Sequence, residues 1–260
     1  MNADGTGVIH KIDKRKNYLS RKAPKIRGAG FRGERLEQII ASNLDNLLIF
    51  SSVLEPAFNN KVLDRLLIMG ETAHIPLSII INKVDLDVNG TIKEWKDLYD
   101  SIGYKVFITS TISNQGLNDL RKSLQGKKNL FFGHSGVGKS SLLNKLFPEL
   151  ELKVGKISGF TDKGTHTTVT STMIQIDEET FVIDTPGIRE IEPFGIRKED
   201  LGYYFIEFSE YINECKFNTC THYHEPGCAV IEAVEKGAIS LHRYESYLRI
   251  LETIEEDINF

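Results

Sequence analysis

The chain has 260 residues, of which 40% are hydrophobic and 26% charged, and its net charge is −4. That balance describes a globular chain long enough for more than one core. No apolar run approaches the ~20 residues of a membrane-spanning helix, and Met1-Asn2-Ala3-Asp4-Gly5 has neither region of a secretory signal. A cytoplasmic chain without a membrane partner is expected.

The charge is uneven. Residues 1–35 carry ten Lys or Arg and three Asp or Glu. A basic arm on an acidic body suits a polyanionic partner, although a solvated basic loop has the same composition. All three cysteines fall between Cys215 and Cys228. An odd, clustered set points to metal binding before disulfides.

In chain order, Gly7–Ile12 and Asn17–Arg21 read as two short strands joined by a basic turn. Residues 22–35, rich in Gly and Arg, read as a mobile loop. Leu47–Phe50 is a buried strand, and Asn59–Met69 has helical spacing in Val62, Leu63, Leu66 and Leu67. Leu77–Ile81 is a strand, Lys93–Ile102 a helix, Tyr104–Thr109 a strand, Gly116–Leu124 a helix and Asn129–Phe132 a strand. Such alternation predicts a parallel sheet covered on both faces. Thr172–Ile176 and Thr180–Ile183 read as a strand pair. Beyond about Leu201 the predicted elements are helices: Ile206–Glu214, Ala229–Lys236 and Ser240–Ile254. The stripe Tyr244, Tyr247, Leu248 and Leu251 on the last reads as core.

Gly133-His134-Ser135-Gly136-Val137-Gly138-Lys139-Ser140-Ser141 lies between a strand and a helix, the context a P-loop requires. Its glycines let backbone N–H groups approach phosphates. Lys139 would reach the β- and γ-phosphates as the catalytic lysine, and the Ser140 hydroxyl would bind Mg2+. Asn82-Lys83-Val84-Asp85 ends a buried strand about fifty residues earlier. A carboxylate there accepts from the N1–H and exocyclic amine of guanine, whereas adenine would leave Asp85 facing a lone pair. Thr109-Ser110 ends the next strand, where its backbone N–H groups would stand near the guanine O6. Asp184-Thr185-Pro186-Gly187 closes another strand: Asp184 would hold Mg2+ through water and Gly187 would meet the γ-phosphate. In Gly164–Thr168, Thr167 or Thr168 would complete the Mg2+ shell. Ile188 stands where a water-orienting Gln is usual. His166 is the candidate to orient or deprotonate the water, or is a structural residue of that loop.

Cys215, Cys220, His222 and Cys228 supply four ligands within fourteen residues, a set that suits one structural Zn2+. By composition alone His224 rivals His222.

These motifs in this order resemble the circularly permuted GTPases of the YlqF/YawG type, and within them the ribosome small subunit-dependent GTPase A (RsgA) family. The resemblance runs from about Gly7 to the C-terminus. It implies a monomeric GTP hydrolase that binds the 30S subunit and 16S rRNA and acts in late small-subunit maturation. It selects His222 as the fourth zinc ligand, and the family shares the hydrophobic replacement at Ile188. The implied fold is α/β: a circularly permuted P-loop GTPase domain (36–200), a partial OB-fold and basic loop before it (1–35), and a helical zinc-binding domain after it (201–260). Of the five OB strands only the last are expected here, which leaves affinity for RNA to the basic arm. The rival is a GTP-switched RNA-binding module with little hydrolysis.

Overall fold

The continuous apolar runs become the interior of a six-stranded sheet. The computed structural model describes residues 11–12, 14–23, 36–150, 171–185 and 193–254. β1 (Tyr18–Lys22) and β2 (Glu37–Ser42) pair antiparallel as a separate two-stranded sheet. β3 (Asn46–Ser52), β4 (Leu77–Asn82), β5 (Lys105–Ile108), β6 (Lys128–Gly133), β7 (Thr172–Gln175) and β8 (Phe181–Asp184) form the main sheet, in the order β5-β4-β3-β6-β8-β7. All pairings are parallel except the β7–β8 edge. The helices are α1 (Asn60–Thr72), α2 (Ile92–Ser101), α3 (Leu117–Leu124), α4 (Lys139–Leu146), α5 (Ala229–Glu235) and α6 (Leu241–Thr253).

Successive strand residues point to opposite faces, and both faces are covered. Leu47, Ile49, Ile79, Ile81, Leu130 and Phe132 bury against Leu63, Leu66 and Leu67 of α1 and Tyr99 of α2. Leu48, Phe50, Ile80, Phe131 and Val182 bury against α3 and α4 through Leu117, Leu120, Leu142 and Leu143. Each such side chain contributes roughly 1.5–3 kcal/mol of burial energy, which is why the runs are unbroken. α1 begins where Asn59 Oδ1 accepts from Lys61 N–H at 3.0 Å and Val62 N–H at 3.3 Å, a cap worth about 1 kcal/mol.

A third core belongs to the C-terminal region. Leu201, Phe205, Phe208, Val230, Tyr247, Ile250 and Leu251 pack together with Cys220 and Cys228, and Ile68 of α1 joins them. Tyr244 and Leu248 pack on its margin, so the α6 stripe is core as expected.

Two expectations change. Ile206–Glu214 is not a helix: Lys198–Tyr204, Ile206–Phe208 and Ile212–Glu214 are 3-10 turns. Phe205 and Phe208 are both fully buried, and the kinked path lets both rings face the core. Among the described residues β1 pairs with β2, a strand the sequence did not mark, so the two-stranded unit extends to Ser42. It docks on the main domain through Leu19, fully buried in the α1-side core. The strand expected at Gly7–Ile12 lies, but for its last two residues, outside the described residues. So do residues 24–35 of the expected mobile loop.

Candidate nucleotide and metal sites

The phosphate and base motifs stand at the carboxyl ends of two strands of one sheet, separated by a single strand. β6 delivers Gly133, β4 delivers Asn82, and β3 lies between them. This is the edge where ligands bind in open parallel sheets. Chain order has no bearing on that proximity.

Asn82 is buried and joins the two motifs. Its Nδ2 donates to Val137 O at 3.0 Å, and its Oδ1 accepts from Thr109 Oγ1 at 3.0 Å. Gly138 is required there: its φ is +93°, and a Cβ would stand 2.4 Å from Asn82 Nδ2. Lys83 takes a left-handed backbone, φ 62°, and its Nζ donates to Glu55 O. Val84 N–H donates to Thr109 O at 3.2 Å.

Ser110 orients Asp85. Its hydroxyl donates to Asp85 Oδ1, while Oγ accepts from the N–H groups of Ile112 and Ser113, each at 3.1 Å. Both lone pairs of Oγ are occupied, so its proton is directed at the carboxylate. Asp85 keeps acceptor capacity for a second partner. The backbone N–H groups expected near the guanine O6 are already engaged: Thr109 N–H meets Ile81 O at 2.9 Å and Ser110 N–H meets Gln115 O at 3.2 Å. Strand and turn formation claim them. The Ser110 hydroxyl contact is the feature that sequence reading missed.

In the P-loop, Lys139 is 7% exposed, and its Nζ donates to Gly133 O at 2.7 Å and His134 O at 2.9 Å. Burial lowers its pKa to about 8, against the pull of the Asp184 carboxylate. Burial and the Lys139 charge also lower the His134 pKa, keeping the ring neutral. Ser135 and Gly136 are exposed and Ser140 and Ser141 half-buried, at the start of α4. Asp184 closes β8 opposite Phe131 of β6, and the Thr185 hydroxyl donates to Phe131 O at 2.9 Å. Burial raises the Asp184 pKa and Lys139 lowers it. Its Oδ1 is buried and has no hydrogen-bond partner among the described residues. An orphaned carboxylate oxygen beside a phosphate loop fits the water shell of Mg2+. His166, Thr167, Thr168, Gly187 and Ile188 lie outside the described residues.

The metal cluster forms as expected. The ligand atoms of Cys215, Cys220, His222 and Cys228 all lie within 4.8 Å of one another. Cys215 Sγ is 3.6 Å from His222 Nδ1 and 3.9 Å from Cys228 Sγ, and His222 Nδ1 is 3.4 Å from Cys228 Sγ. A tetrahedron with metal–sulfur bonds of about 2.3 Å has edges of about 3.8 Å, so these residues fit one Zn2+. Burial lowers the His222 pKa, which keeps the imidazole in the ligating form. A Cβ on Gly202 would come within 2.8 Å of His222 Nε2, so only glycine leaves room for the ring. Tyr247 and Tyr244 of α6 donate to Thr221 O at 2.6 Å and His222 O at 2.8 Å. Glu225 accepts from Thr221, Tyr223 and His224 N–H groups and closes the ligand loop. Burial opposes its charge, and these bonds with the Thr221 hydroxyl hold its pKa down to about 2. His224 is not in the cluster; His222 is.

A P-loop and an Asn-Lys-x-Asp element braced on each other, with the base element first in the chain, define a circularly permuted GTPase fold. Comparison with known proteins agrees. The model of the RsgA GTPase family matches residues 12–194. The small ribosomal subunit biogenesis GTPase RsgA of Chlorobaculum parvum is 42% identical over 250 residues, 96% of this chain and 79% of that protein. YjeQ from Thermotoga maritima superposes with a TM-score of 0.75 at 32% identity, covering 96% of this chain and 79% of that one. YloQ, a circularly permuted GTPase, superposes at 0.71 with 30% identity over 97% of this chain and 76% of its own. The chain belongs to the RsgA GTPase family.

Proposed function

We propose that the chain hydrolyses GTP as a step in maturation of the 30S ribosomal subunit; its Chlorobaculum parvum relative is named a small ribosomal subunit biogenesis GTPase. The observation that carries the nucleotide assignment is the Asn82–Val137 bond, which holds a base-reading element and a phosphate loop in one site.

The roles follow from chemistry. Asp85, aimed by Ser110, accepts from the guanine edge, while Asn82, Lys83, Val84 and Thr109 shape that loop. Gly133 to Ser141 cradles the phosphates, with Lys139 moving from backbone carbonyls to the β- and γ-oxygens. Ser140, Asp184 and Thr167 or Thr168 would hold Mg2+, which neutralises charge on the transferring phosphoryl group when bound. Gly187 would meet the γ-phosphate. His166 orients the attacking water, a role that Ile188 cannot fill. Cys215, Cys220, His222 and Cys228 hold Zn2+ as a closed structural site.

Three units follow: an N-terminal unit running to Ser42, the GTPase domain to about residue 200, and the zinc-bearing helical unit to 260. The working form is a cytoplasmic monomer that contacts 16S rRNA in part through its basic N-terminal arm. Among the described residues no helix is long and apolar enough to cross a membrane. Ile188 also favours a second reading, a GTP-switched RNA-binding module that barely hydrolyses. GTP turnover with and without purified 30S subunits separates the two. Acceleration by 30S, and tighter 30S binding with a non-hydrolysable GTP analogue than with GDP, are expected. Equal affinity and unchanged turnover would overturn the coupled function.

A further inference from the structure

The loop between β3 and α1 touches both nucleotide motifs and belongs to neither. Val53 N–H donates to Asn82 O at 3.0 Å, and Glu55 O accepts from Lys83 Nζ. On its other side, Pro56, Asn59 and Val62 line a cavity of about 250 Å³ together with His134 and Ser135, and Pro56 Cδ would lie 3.6 Å from a Cβ built on Gly136 of the P-loop. Two internal bonds close the loop: Ser52 Oγ donates to Pro56 O at 2.8 Å, and Phe58 N–H donates to Val53 O at 3.0 Å.

The groups that fix this loop come from the far end of the chain. The Phe58 ring lies 5.1 Å from Trp95, and Trp95 lies 5.1 Å from the ring of His242 on α6. Asn60 Nδ2, at the first residue of α1, donates to His242 O at 3.2 Å and to Ser246 Oγ at 3.1 Å. Lys61 pairs with Glu245 at 3.2 Å. The loop is thus clamped by α6 at its α1 end, while its other end carries the contacts to Asn82 and Lys83.

We infer that His242 is a positioning residue for the nucleotide site. Its ring holds Trp95 and Phe58, and its carbonyl holds Asn60. Together they set where Glu55 O meets Lys83 and where Pro56 meets the P-loop. The inference rests on reading Asn82–Asp85 and Gly133–Ser141 as the GTP site. Because the clamp acts on the walls of the binding site and not on the reacting phosphate, its loss weakens binding and leaves the chemical step alone.

The test is steady-state GTP hydrolysis by the full chain carrying His242→Ala, Asn60→Ala or His242→Phe. The two alanine variants should each raise KM about fivefold, the lower end of typical coupling between sites, with kcat, metal content and thermal midpoint unchanged. His242→Phe restores a ring against Trp95 and should recover the KM. Trp95 is the single tryptophan, so its fluorescence should also change when GDP binds the parent protein. An unaltered KM in both alanine variants, or a raised KM that His242→Phe fails to recover, would overturn the inference. A parent protein that binds ATP as tightly as GTP would defeat the guanine reading instead. The variants' KM for either nucleotide would still decide the positioning role.

Discussion

The Asn82 side chain spans from the base-reading element to the P-loop carbonyl of Val137 at 3.0 Å, 55 positions along the chain. The same amide accepts from the Thr109 hydroxyl, so three loops at the sheet edge meet on one buried residue. Asn82→Ala leaves a buried carbonyl and a buried hydroxyl without partners. Such groups cost about 1–3 kcal/mol each when orphaned. We expect nucleotide affinity to fall about tenfold or more, read by titration with fluorescent GDP. Unchanged affinity would mean that the brace does not shape the site.

In the proposed nucleotide site Asp85 reads the base, and Ser110 holds one of its oxygens. Asp85→Asn replaces an acceptor with a donor, which suits the xanthine carbonyl and not the guanine amine. Preference should move from GTP to XTP in competition binding. A variant that still prefers GTP would place base recognition elsewhere.

Lys139 gives a pH signature. Its pKa in the ligand-free protein is lowered to about 8 by burial, so its charge is lost as pH rises through that value. Phosphate binding favours the charged form. Nucleotide affinity should therefore weaken above about pH 8, with uptake of a proton on binding. For folding the sign is opposite. Between about 8 and the unfolded value of 10.5 the unfolded chain binds more protons, so this group's contribution to stability rises with pH. Isothermal titration in buffers of different ionisation enthalpy reads the proton uptake. Lys139→Ala should abolish both the uptake and hydrolysis.

The nucleotide motifs were legible because their chemistry needs fixed residue types at strand ends, and continuous apolar runs such as Leu77–Ile81 mark those strands. The helix expected at Ile206–Glu214 was not legible as a series of turns, because the buried spacing of Phe205 and Phe208 is also helical. β2 was missed because none of its residues is fully buried and Glu37-Gln38 carries no apolar alternation. The roles of Glu55 and His242 leave no local signal at all. They arise from contacts between segments far apart in sequence.

The Cys3His cluster predicts one tightly held zinc per chain, measurable by metal analysis and by tetrahedral spectra after cobalt exchange. Ligand bonds in small domains are folding energy. Cys220→Ser should lower metal content and destabilise the C-terminal unit, on the order of 4 kcal/mol, because Cys220 is buried in the same core as Tyr247 and Phe208. Parent-like melting and full metal content in that variant would contradict the assignment.

The C-terminal unit is also fastened to the GTPase domain by a buried ion network. Arg243 Nη1 meets Asp64 Oδ1 at 2.5 Å, and its Nε and Nη2 meet the two oxygens of Glu207 at 2.6 and 3.1 Å. Tyr99 donates to the same Asp64 oxygen at 2.6 Å, and Phe205 lies 4.6 Å beneath the guanidinium. Burial opposes the charge on Arg243, and the two carboxylates overcome it. Arg243→Ala would leave both carboxylates unpaired inside the interface, at a cost of about 3–5 kcal/mol. Asp64→Asn should cost less, because Glu207 keeps its paired contact with Arg243. The double variant Arg243→Ala with Asp64→Ala should be more stable than the sum of its singles, by about 0.5–3 kcal/mol of coupling. Chemical denaturation of the four proteins closes the cycle. Strictly additive losses would show that Arg243 holds the two domains by packing on Phe205 and not by its charge.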